Sequence, residues 1–150
     1  MTIGRVCTRE VVVAYTHEPL HEAARLMREH HTGTVVVVEV AGGARVPVGI
    51  VTDRDIAVAV FATDCDAQKL LVGDVTREAL LTVREDADIL DVVQQMRDHG
   101  VRRVPVVDTR GTLVGIVSSD DLLEVLSEQL SGLAGIGARA MAREEQRIVR

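Results

Sequence analysis

Residues 48–56 read VGIVTDRDI and residues 114–122 read VGIVSSDDL. Each stretch is a short β-branched run, then a hydroxyl (Thr52 or Ser118), then a carboxylate three residues on (Asp55 or Asp121). That order predicts a strand ending where a helix begins, the hydroxyl and the acid forming a capping box for the helix's first N–H groups. Upstream of both stretches the chain keeps repeating. Gly4 and Gly73 stand at an offset of 69, as do Met27 and Met96, while Gly49 and Gly115 differ by 66. The first copy therefore carries three extra residues just before its last strand. Duplication of this kind predicts a pseudo-twofold body with equivalent clefts, and clefts invite ligands.

Each copy reads as β-α-β-β-α. Val11 to Ala14 and Leu80 to Val83 are β-branched apolar runs expected to form buried strands. Pro19 opens a helix on which Leu20, Ala23, Ala24 and Met27 recur at helical spacing; Ile89, Val92, Val93 and Met96 repeat the pattern. Thr34 to Val40 and Arg103 to Asp108 are the next strands, turned by AGGA and TRGT, whose glycines suit positive φ. Val46 to Val51 and Leu113 to Val117 return, and a second helix follows in each copy. Boundaries are expected at 1–61 for the first repeat, 62–71 for a linker and 72–131 for the second. Residues 132–150 make a glycine-rich hinge, GLAGIGA, and a charged helical tail. The fold class is α/β of the α+β kind. One copy of about 60 residues is marginal alone, so the copies should share a core.

Composition excludes several functions. A net charge of −6 with one Tyr, one Phe and no Trp gives neither the basic footprint nor the stacking rings that nucleic acid requires. No segment has the length and apolarity of a membrane span, and MTIGRVCTRE lacks the apolar core of a signal peptide. Cys7 and Cys65 form no disulfide framework, so a cytoplasmic protein with two reduced thiols is expected. His17 and His21 are separated by Pro19, and His30 and His99 stand at equivalent helix ends, where a cation suits the dipole; no metal site is assigned. Walker loops, nucleophile elbows and HExxH are missing, so no catalytic residue is assigned and no enzyme is expected.

The run GVRRVPVVDTRGTLVGIVSSDDLL, residues 100–123, resembles the second half of a cystathionine-β-synthase (CBS) domain, and the first copy follows the same plan. The chain is similar to a stand-alone tandem CBS pair from residue 3 to about residue 130. The resemblance implies repeats packed pseudo-twofold through their sheets, often as a homodimer, with clefts for AMP, ADP, ATP or S-adenosylmethionine. It implies regulation of a separate, unidentified protein, with no obligatory cofactor and an adenine nucleotide as regulatory ligand. Carried onto this chain, it makes Asp55 and Asp121 ribose ligands, with Thr52 and Ser118 beside them. Arg102 and Arg103 match phosphate-contacting positions; their counterparts Gly33 and Thr34 bring no charge, while Arg54 could supply a cation where the second copy has Asp120. Val12, Val36 and Val104 would hold the base. Unequal use of the two sites is expected. Two alternatives stand beside this reading: a ligandless dimeric scaffold whose boxes only cap helices, and a pair responsive to S-adenosylmethionine or metal.

Overall fold

The computed structural model describes residues 1–76 and 80–148. The first copy contributes β1 (Val13–Tyr15), α1 (Leu20–Glu29), β2 (Thr34–Ala41), β3 (Ala44–Thr52) and α2 (Asp53–Phe61). A short α3 (Val72–Val75) then leads into β4 (Val83–Arg84), α4 (Ile89–His99), β5 (Arg103–Val107), β6 (Leu113–Ser118) and α5 (Ser119–Ile148). Two three-stranded sheets result, ordered β1-β2-β3 and β4-β5-β6. In each, the first strand runs parallel to the second and the second antiparallel to the third. Even the irregularity repeats: the register shifts between Val37 and Val38 in one sheet and between Val106 and Val107 in the other.

The expected hairpin turns form, with Gly42, Gly43 and Gly111 all at positive φ. In the second turn Asp108 Oδ1 accepts the N–H groups of Arg110 and Thr112, which holds its carboxyl below the usual aspartate range. The first strands are shorter than the sequence suggests. Val11 and Val12 precede β1 and are only half-buried, because β2 pairs with the chain in strand register from Val13 onward. The α1 stripe also needs amending: Leu20, Ala23 and Met27 are buried, whereas Ala24 faces solvent and Leu26 packs in its place.

The copies exchange their leading segments. A 3-10 turn at Ile3–Arg5 crosses to the second sheet, where the Ile3 and Gly4 N–H groups donate to the Ala87 and Glu85 carbonyls at 2.9 Å. Symmetrically, the Val72 and Gly73 N–H groups donate to the Glu18 and Thr16 carbonyls, again at 2.9 Å. Ile3 is buried in the second copy's core beside Val92 and Val117, and Val72 in the first copy's core beside Ala14 and Val51. A third cluster joins the halves: Val36, Val38 and Leu113, with Val11, Val13, Tyr15 and Ile116 packed on it. Burial shared in this way is how two marginal copies become one body.

The C-terminal hinge is not a break. α5 runs continuously from Ser119 to Ile148, through Gly132, Gly135 and Gly137. None of those glycines takes positive φ, so their freedom is unused and the helix formers around them carry the turn. Beyond the core this helix is exposed, with Leu130, Leu133, Ile136 and Met141 open to solvent. Val149, Arg150 and the side chain of Ile148, which belong to the expected tail, lie outside the described residues.

Candidate functional site

Both capping boxes close. The Ser118 N–H and hydroxyl donate to Asp121 Oδ2 at 2.7 and 2.6 Å, and the Asp121 N–H returns a bond to Ser118 Oγ at 3.2 Å. Thr52 and Asp55 repeat the arrangement at 3.0, 2.8 and 3.2 Å. Capping uses one carboxylate oxygen. Asp121 Oδ1 has no hydrogen-bond partner among the described residues, so it is able to accept a bond from a ligand.

Asp121 stands on a cleft of about 630 Å³, within the range of small-ligand sites. This cleft lies between the copies. The second copy supplies Arg103, Ile116, Ser118 and Asp121; the first supplies the lead into β1 (Thr8, Glu10, Val11 to Val13), the end of α1 (Leu26, His30), and Thr32, Thr34 and Val36. Its lining is mixed, with Val11, Val12, Val13, Leu26, Val36 and Ile116 offering an aliphatic surface to a flat ring beside polar and charged groups. Thr34, one of the lining residues, is only 6% exposed, and its Oγ1, closed off from solvent, finds no hydrogen-bond partner among the described residues. A buried hydroxyl left unpaired costs about 1–3 kcal/mol.

Of the residues singled out from the sequence, Val12, Thr34, Val36, Arg103, Ser118 and Asp121 meet in this cleft. Thr52, Arg54, Asp55, Arg102, Gly33 and Val104 do not line it. Val104 is fully buried in the second copy's core, because its side chain points to the opposite face of β5 from Arg103. Gly33 has a steric role: a Cβ there would come within 2.9 Å of Asp53 Oδ2, so α2 starts where a side chain at 33 would stand. Arg54 and Arg102 are exposed. Thr52 and Asp55 are the repeat equivalents of Ser118 and Asp121, while Arg77 and Ala79, the equivalents of Thr8 and Glu10, lie outside the described residues.

Thr8, Glu10, His30 and Ile116 were not anticipated as lining. No local pattern marks them, since they face residues of the other copy. Among the described residues no group of three His, Cys, Asp or Glu side chains could hold a metal ion, and no helix is long and apolar enough to cross a membrane. A second groove, about 420 Å³ and apolar, runs between α4 and α5 beside Val93, Met96, Val101, Leu122, Leu123 and Leu126.

Residues 3–62 and 72–128 each match the CBS domain family. The chain is a tandem CBS pair. Its strands, helices and duplicated plan are those of solved CBS pairs. The CBS domain pair of protein MJ0100, in complex with 5′-methylthioadenosine and S-adenosyl-L-methionine, is 25% identical, with a TM-score of 0.73 over 86% of this chain and 98% of that one. Hypoxic Response Protein I, with two coordinated zinc ions, is 31% identical, with a TM-score of 0.72 over 83% of this chain and 98% of that one. Uncharacterized protein MK0525 of Methanopyrus kandleri is 35% identical over 125 residues; the match takes in 83% of this chain and 62% of that protein. None of these comparisons indicates a catalytic family.

Proposed function

We propose that this CBS pair is a regulatory module that binds an adenosine-containing ligand between its copies and passes the bound state to a separate protein. The observation that carries the proposal is the free Oδ1 of Asp121 on a ligand-sized cleft between the copies, with Arg103 also in its lining. In this reading Asp121 Oδ1 accepts the ribose hydroxyls, and the base lies against Val12, Val36 and Ile116. Arg103 meets a phosphate or other anionic group. The adenosine ligands of the MJ0100 pair support this choice.

Binding across the seam would favour one packing of the copies over another, by no more than the ligand's differential affinity for the two. The role is binding rather than catalysis. Both cysteines are free thiols, which is consistent with a cytoplasmic setting. Self-association as a homodimer belongs to the same reading, supported by the exposed Leu123, Leu130, Leu133, Ile136 and Met141 of α5. Light scattering of the intact protein reads that directly, and a monomer at micromolar concentration would remove it.

Calorimetric titration with AMP, ADP, ATP and S-adenosylmethionine tests the ligand. Saturable binding of at least one is expected. Silence from all four at millimolar concentration would leave the ligandless scaffold, with both boxes acting only as caps.

A further inference from the structure

The cleft is poor in positive charge. Arg103 is its single arginine or lysine, and it forms no ion pair among the described residues. Glu10, which also has no ion pair there, lines the cleft from the first copy and Asp121 from the second, so the lining is formally −1 with His30 counted as neutral. Dipoles do not correct this balance. The N-terminus of α5 would ordinarily attract phosphate, but its Ser119 N–H donates to the Arg102 carbonyl, its Asp121 N–H donates to Ser118 Oγ, and the Asp121 carboxylate sets negative charge in its first turn. The end of α1 at His30 presents the negative pole of that helix to the cleft.

We infer that Glu10 is a specificity residue that limits the ligand to an adenosine compound bearing at most one phosphate. This rests on the adenosine reading given above and sharpens it. Arg103 satisfies a first phosphate. Each further phosphate brings negative charge into a space holding Glu10 and Asp121, with no second arginine or lysine to meet it. Glu10 and Arg103 are exposed and Asp121 is half-buried, so the repulsion acts at short range and weakens as salt is added.

The test is a calorimetric charge ladder of adenosine, AMP and ATP on the intact protein, repeated with Glu10→Gln and Arg103→Ala. Wild type should bind AMP at least tenfold more tightly than ATP at the Asp121 cleft. Glu10→Gln should shrink that ratio several-fold, because it removes a charge and keeps the side chain's shape. Arg103→Ala should bring AMP down to the affinity of adenosine. Equal affinity of wild type for AMP and ATP would overturn the inference while leaving the adenosine reading intact. An unchanged ratio in a folded Glu10→Gln protein would overturn it too. Failure of all three ligands to bind would reject the adenosine reading itself, and this inference with it.

Discussion

Ile3 and Val72, equivalent residues at an offset of 69, are both fully buried, each in the core of the other copy. The two copies are therefore interlocked by their leading segments as well as joined at a seam. Neither half carries its complete core without the other. The cleft at Asp121 depends on the same crossing, since the chain that delivers Ile3 to the second sheet continues through Thr8 and Glu10 along the cleft wall.

The crossing explains why glycine recurs at 4 and 73. The Gly4 N–H donates to the Glu85 carbonyl, and a Cβ on Gly4 would sit 2.9 Å from that same oxygen; at Gly73 the Thr16 oxygen would lie 3.0 Å away. Gly4→Ala and Gly73→Ala should each cost about 1–3 kcal/mol, the usual range for forcing an extra carbon into a packed site. Urea denaturation monitored by circular dichroism measures this. Wild-type stability in either variant would mean the leading segments are not held at these carbonyls.

Asp121 carries two tasks, and substitution should expose both. Asp121→Ala removes the acid half of the capping box, its bonds from the Ser118 N–H and hydroxyl, and should lower stability by about 0.5–2 kcal/mol. It should also weaken AMP binding by tenfold or more, since hydrogen bonds to a charged acceptor contribute about 1.5–3 kcal/mol. Chemical denaturation and calorimetry read the two effects separately. Loss of stability with AMP affinity unchanged would reduce Asp121 to a cap.

Acid should loosen the attachment at Asp88. The Leu90 N–H donates to its Oδ1 at 2.9 Å and the terminal amine of Met1 lies 3.1 Å from its Oδ2, and together they hold this carboxyl below the ordinary aspartate range. A carboxyl with a depressed folded pKa adds stability above its unfolded pKa, about 4, and loses that contribution as pH falls through the folded value. Thermal melts between pH 6 and pH 2.5 should show a falling limb below about pH 4. The limb should be shallower in Asp88→Asn, which keeps a capping side chain but no titrating charge. An identical acid limb in both proteins would contradict this account.

The α5 glycines should be improvable. A Cβ at Gly132 or Gly135 meets nothing within 4 Å, and neither residue has positive φ. Gly132→Ala and Gly135→Ala should each favour the helix locally by about 0.8–1 kcal/mol. Slower amide exchange along residues 130–140 is the expected readout. Faster exchange there would mean that the segment is a hinge after all.

Much of this protein is written locally in its chain. Thr52 with Asp55 and Ser118 with Asp121 announce their caps through spacing, and the turn glycines announce their φ, because both effects act within a few residues. The pseudo-symmetry is legible for a similar reason, since Met27 and Met96 bury equivalent faces of equivalent helices. Glu10 and Ile116 gave no such signal, because their place in the cleft is set by the other copy. Val104 illustrates the cost of reading strands without their facing: one residue beyond Arg103, it belongs to the core. GLAGIGA reads as a hinge by composition, yet Leu130, Leu133 and Ala138 continue the helix through it.

The central claim is that the cleft between the copies holds an adenosine ligand, and a crystal structure grown with AMP tests it most directly. The account predicts ribose hydroxyls within hydrogen-bond distance of Asp121 Oδ1 and the base against Val12, Val36 and Ile116. AMP bound elsewhere on the chain, or this cleft filled by water at saturating AMP, would contradict it.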